Sequence, residues 1–158
     1  MNNTTFTIAL SIKALKNEIA AQTAWIDTTN LSVLPPISNP VTAGHNDIAA
    51  IITESCYHIA TAISGYVKTV SHSDDIFTMQ LCVPANSNLK LASIRIRYEQ
   101  AATYHTLANL YCTQPQAAHI TSLFREKGVA ALRSVTHLLA STQKLQIIYY
   151  ICDIFYYV

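Results

Sequence analysis

The chain has 158 residues, enough for one domain with a real core, and 51% of them are hydrophobic against 12% charged. Its net charge is +1, with no clustered basic patch, which argues against a sequence-specific nucleic-acid interface. No apolar run reaches the ~20 residues of a membrane-spanning helix, and the start, MNNTTFTIALSIKALK, lacks the charged lead of a secretory signal. The low charge leaves two explanations open: surface covered by other chains, or a wet surface made of Thr, Ser, Asn and Gln.

The first segment, TTFTIAL, sets Phe6, Ile8 and Leu10 against Thr5, Thr7 and Ala9, the alternation of a short strand or an extended lead-in. Ser11 then offers a helix cap, and Ile12, Leu15, Ile19 and Ile26 fall on one helical face, with Thr23 in the gap. Residues 27–43 carry Pro35, Pro36 and Pro40 and read as a long connection laid over the bundle, anchored by Leu31, Val33, Leu34 and Ile37. A second helix is expected from about Asn46 to about Val67, striped by Ile48, Ile51, Ile52, Ile59, Ile63 and Val67, and SHSDD then reads as a polar loop.

In IFTMQLCVPANSN the apolar residues Phe77, Met79, Leu81 and Val83 alternate with Ile76, Thr78, Gln80 and Cys82, which predicts a strand over 76–83 stopped by Pro84. A lone strand leaves its backbone groups unsatisfied, so a partner is required: the lead-in at 4–10, the apolar terminus, or a neighbouring copy. The third helix runs from after Asn88 to about Cys112, with Leu91, Ile94, Tyr98, Ala101, His105 and Ala108 on one face, widened by Leu107, Leu110 and Tyr111. Beyond Pro115 a fourth helix spans about 116–141, with Ile120, Leu123, Phe124, Ala131, Val135, Leu138 and Leu139 facing inward and Gly128 within it. The short connection makes the last two helices antiparallel neighbours.

The chain closes on IIYYICDIFYYV, where Asp153 is the one charged residue. Tyr, Ile, Phe and Val favour a strand, both of whose faces would be largely apolar; left free, such a segment aggregates. The reading is an extended arm over 146–158 that packs on a neighbouring subunit or partner, by addition to a neighbour's sheet edge; the alternative is a final strand or helix packed on the chain's own bundle. The predicted fold is therefore mainly α: a four-helix bundle-like domain over 1–145 with one or two short strands, plus this arm. Phe77, Met79 and Leu81 on the strand and Ile148, Tyr150, Ile154, Phe155 and Tyr156 in the arm are the candidate assembly contacts, in a homo-oligomer.

Chemistry is sparse. Cys56, Cys82, Cys112 and Cys152 are widely spaced, without a metal-site pattern, and read as free buried thiols of a reducing compartment. SHSDD and GHND read as a solvated turn and a helix start, His105 with Cys112 as a packed imidazole beside a buried thiol, and Glu54 with His58 as a solvated pair one turn apart. No nucleophile elbow, phosphate loop, dinucleotide fingerprint or zinc-protease motif occurs, and the 3 glycines leave little material for a phosphate-cradling loop. No catalytic residue, cofactor or metal ligand is assigned.

RSVTH, residues 133–137, is similar to the Arg–His signature of HEPN-type ribonucleases, with a shorter spacing than theirs. Arg133 and His137 still share a helix face, where a cation beside an imidazole serves phosphodiester cleavage.

Over residues 46–140, AISGYV ending a helix, then FTMQLCVPANSN, RIRYEQAATYHTLANLYC and ITSLFREKGVAALRSV, resemble small prophage-encoded proteins of gut bacteria. Those are similar in outline to the helical head–tail connector (adaptor) proteins of long-tailed phages. The resemblance implies a virion structural protein, made in the bacterial host cytoplasm, that works in the neck or tail as a ring of identical copies beside other neck or tail proteins. It supplies no functional residues, and the apolar terminus departs from its pattern. The alternatives are a HEPN-like helical ribonuclease or toxin using Arg133 and His137, and a helical module binding a small apolar ligand.

Overall fold

The computed structural model describes residues 3–29, 38–41, 48–84 and 90–140. Threonine–apolar alternation forms β1 (Asn3–Ser11), which buries Ile8 and Leu10 and exposes Thr5, Thr7 and Ala9. Ser11 ends the strand and starts α1 (Ile12–Thr29): its Oγ accepts the Ala14 backbone N–H at 3.2 Å, satisfying one of the helix's orphan donors. The Ile12 backbone N–H donates to the Asp75 carbonyl at 2.7 Å, which pins the strand–helix corner to a turn elsewhere in the sheet. Leu15, Ile19 and Ile26 are buried as their spacing predicts, and so is Thr23, whose hydroxyl donates to the Ala20 carbonyl at 3.0 Å.

The connection after α1 is tied down at its far end. Asn39 Nδ2 donates to Asp27 Oδ2 at 2.5 Å, and Ser38 exchanges two hydrogen bonds with the Gln114 amide, at 2.9 and 2.8 Å. Residues 38 and 39 thereby link the end of α1 to Gln114, between the last two helices. The anchors Leu31, Val33, Leu34 and Ile37, and the GHND helix start, lie outside the described residues.

The second helix, α2 (Ile48–Ala62), stops well short of Val67. A 3-10 turn at Ser64–Tyr66 follows, and the chain then becomes β2 (Val67–Ser73). VKTVSHS is β-branched and alternating, and Gly65 just before it favours neither helix nor strand, so the helical stripe yields to pairing. SHSDD is therefore not a solvated loop. Ser71, His72 and Ser73 belong to β2, and Asp74 and Asp75 form a two-residue turn into β3 (Ile76–Pro84). Asp74 has φ 47°, in the left-handed region that Asp tolerates better than most residues.

The sheet order is β1-β3-β2, antiparallel throughout. The strand expected to stand alone is thus central, paired on one side by the lead-in, one of the three partners considered, and on the other by a strand read as helix and loop. Phe77, Met79, Leu81 and Val83 are 0–1% exposed and form the floor on which the helices sit.

α3 (Leu91–Tyr111) follows, and after a 3-10 turn at Pro115–Ala117 comes α4 (Ala118–Ala140), antiparallel to it. α1 and α2 pack on α3 and on each other, α4 packs on α3, and the helical layer covers one face of the sheet. α3 is therefore buried nearly all round, from Tyr98 through Tyr111, which explains its weak amphipathic pattern. Each fully buried Ile, Leu or Phe of this core contributes about 1.5–3 kcal/mol. Leu123, expected to face inward, is 45% exposed, because α4 meets α3 through Ile120, Phe124, Ala131 and Val135 instead. Among the described residues no helix is long and apolar enough to cross a membrane.

Candidate functional site

A buried constellation that looks like chemistry is a polar knot between α2 and α3. Ser55 Oγ lies 3.0 Å from His105 Nδ1 and 3.0 Å from the Thr106 hydroxyl, and Asn109 Nδ2 lies 3.3 Å from the same imidazole nitrogen. A serine beside an imidazole is the geometry of an activated nucleophile. Here Ser55 is 0% and His105 1% exposed, so no substrate reaches either, and the knot satisfies polar groups that the central helix buries. Nearby, the Tyr98 hydroxyl donates to the Cys56 carbonyl at 2.5 Å. Burial pushes the Cys56 thiol up to about 12, so this thiol is inert. Burial, and then the neighbouring Cys56, hold the Tyr98 hydroxyl well above its ordinary range.

His105 is packed as expected, but the thiol beside it is not Cys112. That residue is exposed at the end of α3, its Sγ donating to the Asn109 carbonyl at 3.0 Å. Of the cysteines read as buried, Cys56 is buried and Cys82 half-buried, while Cys152 lies outside the described residues. His58 and Glu54 form the expected solvated pair at 3.6 Å, and the His58 ring also lies 5.6 Å from the His105 ring.

Open grooves lie on the surface of the described residues. One of about 680 Å³, between α2 and the β2–β3 hairpin, gathers Glu54, Tyr57, His58, His72 and Asp74. One of about 400 Å³ between α1 and α3 is lined by Glu18, Gln22, Arg95, Glu99 and Gln100, with Arg95 Nε donating to Glu99 Oε1 at 2.9 Å. The third, about 510 Å³ between α1 and α4, is the apolar one, with Trp25, Leu123, Tyr104 and Phe124, and with Lys127 Nζ 5.7 Å from the centre of the Tyr104 ring. Among the described residues no group of three His, Cys, Asp or Glu is placed to hold a metal ion. Arg133 and His137 are both exposed on α4, and neither lines any of these grooves.

No protein-family model, no curated protein and no solved structure matches the chain. Geometry alone therefore selects the site.

The feature that stands out is the sheet face turned away from the helices. Register places Thr7, Gln80 and Thr69 in one row across the three strands, Ala9, Thr78 and Ser71 in the next, and Ser11, Ile76 and Ser73 in the third, with Thr5 beside Cys82 at the far end. None of these paired residues carries a charge, and most are exposed, including Ile76 at 51%, while the exposed Lys68 stands in the register slip of β2 beside Thr69. Surfaces that stay in water normally intersperse charges of both signs. A Thr- and Ser-rich wall instead supplies short hydroxyls and methyls that can be covered without stranding a charge.

Of the candidate assembly contacts, Phe77, Met79 and Leu81 point to the opposite side of β3 and are consumed by the chain's own core, with no exposed area left for a partner. The alternates Ile76, Thr78, Gln80 and Cys82 lie on the other side of β3, with Ile76 51% exposed. Ile148, Tyr150, Ile154, Phe155 and Tyr156 lie outside the described residues. The contribution of β2 went unread in the sequence. Its signal was present, since Thr69, Ser71 and Ser73 alternate with Val70 and His72.

Proposed function

We propose that this chain is a virion structural protein of a tailed phage, a head–tail connector (adaptor) component of the neck that assembles as a homo-oligomeric ring and meets other neck or tail proteins. Two lines support the reading: the resemblance over residues 46–140 supplies the class of protein, and the Thr- and Ser-rich outer sheet face carries the assembly. The proposal takes the four helices as one bundle-like unit backing that face, and the residues after 145 as an arm given to a neighbour.

A chain with 12% charged residues has little charge to spend on its surface, and none of the paired residues named on the face carries any. Both readings of the low charge meet here: the face is Thr- and Ser-rich, and it is the part of the described surface best suited to be covered. Burying it costs little desolvation, because hydroxyls find partners across an interface where charges need paired geometry.

The test is the mass of the purified protein in solution, with imaging of any assembly. The expected result is a discrete closed multimer, broken to smaller species by Thr78→Lys, which places a charge in the middle of the face. A monomer at every accessible concentration overturns the reading, and so does a multimer indifferent to charges placed on this face.

A further inference from the structure

The two edges of the sheet are built differently. The β2 edge is seven residues long, its pairing with β3 slips between Val67 and Thr69 with Lys68 in the irregularity, and it ends at the Asp74 turn. Short length, a bulge and a lysine are the devices by which proteins prevent a strand edge from recruiting another strand. β1 has none of them. It is nine residues of NTTFTIALS, without charge or proline, in unbroken register from Asn3↔Pro84 to Ser11↔Ile76, and among the described residues no backbone bond reaches its outer edge. One edge is closed to strand addition and the other is left open.

We propose that the outer edge of β1 receives residues 147–158 of a neighbouring copy as a fourth strand. This rests on the ring reading above and names its contact. The incoming segment has a single charge, Asp153, and both its faces are largely apolar, so it needs cover on two sides. At β1 one side would continue the row of Phe6, Ile8 and Leu10 against the helical layer, and the other would extend the outer wall. Its length suits the edge: at ~3.3 Å per residue a twelve-residue strand spans ~40 Å and a nine-residue strand ~30 Å.

α4 packs against α3 and ends at Ala140, and the donor follows it in the chain. Residues 141–146, extended, reach ~20 Å from Ala140. The donor belongs to another copy because a closed ring needs a head-to-tail contact between two different surfaces; β1 set against a second β1 is self-complementary and closes at two copies.

The experiment uses the full chain with Cys82, Cys112 and Cys152 replaced by Ser, made as two preparations. One carries Thr7→Cys on β1, the other Tyr150→Cys in the donor, and they are mixed, allowed to exchange and treated with a short bismaleimide. The expected result is a covalent dimer of the two preparations, absent when Lys68→Cys on the β2 edge replaces Thr7→Cys. Thr7→Lys, which blunts the edge without touching the core, should convert the multimer to monomer with an unchanged circular dichroism spectrum, and so should deletion of 147–158.

A multimer that survives the deletion but is broken by Thr78→Lys overturns this inference and leaves the ring standing, as does crosslinking to Lys68→Cys instead of Thr7→Cys. A third preparation carrying Thr7→Cys and Tyr150→Cys in one chain, if it crosslinks only internally and is monomeric throughout, overturns both.

Discussion

Phe77→Ala separates a core residue from a contact residue. Phe77 is 0% exposed on the central strand, with the Tyr57 ring edge-on at 5.2 Å and the Tyr98 ring stacked at 6.4 Å. Removing a buried phenyl costs about 3–5 kcal/mol, since the transfer energy is lost and the two flanking rings cannot collapse fully into the void. That is a large share of a domain's total of about 5–15 kcal/mol. With a urea slope near 2 kcal/mol per molar, the unfolding midpoint should fall by about 1.5–2.5 M. The assay is urea unfolding at two protein concentrations, because stability gained from assembly depends on concentration and stability from the core does not. The same fall at both concentrations is expected. A midpoint that stays within about 0.3 M of the parent while the multimer is lost would refute the reasoning, and would make Phe77 the assembly contact that the sequence pattern alone suggested.

Alkaline pH should destabilise the fold. The native state holds the Cys56 proton up to about 12, whereas the ordinary thiol value is 9.0, so the unfolded chain gives up that proton first and stability falls as pH rises above 9. The expected slope is about 1.4 kcal/mol per pH unit for this group, with the buried Tyr98 adding to it at higher pH in the same direction; Cys56→Ala should flatten the slope of the urea midpoint against pH, and an unchanged slope would contradict the assignment. At the hairpin, Asp74→Gly should leave thermal stability unchanged or slightly raised, whereas Asp74→Val should lower it by about 1–2 kcal/mol, since a β-branched residue resists the left-handed conformation. Tyr98→Phe should cost about 1 kcal/mol in urea unfolding, for the loss of one buried hydrogen bond to the Cys56 carbonyl. His137→Ala and Arg133→Ala should leave any RNA cleavage by the preparation unchanged; loss of a measured activity with either would favour the ribonuclease reading.

The apolar spacings alone located α1, α3 and α4 within a few residues, and the alternation in 76–83 located β3, because each of these signals is local: a side chain's face follows from its position along its own element. Ser11 was legible as a cap for the same reason, and its Oγ does accept the Ala14 N–H. Two things were not local. Val67–Ser73 carries both the tail of a helical stripe and a strand alternation, and only the presence of β3 beside it, with Asp74 able to turn the chain, decides for the strand. The second is which face of β3 is inside. Period two says that Phe77, Met79 and Leu81 share a face but not what covers it, and the pattern of a strand's apolar side reads the same whether the cover is its own helices or another chain. The helices α1, α2 and α3 closing over that side bury it within the chain and turn the Thr and Ser alternates outward. The sequence therefore specified α1, α3, α4, β1 and β3 and their two-sidedness, and the tertiary packing decided that Val67–Ser73 is a strand and which side of the sheet stays outside.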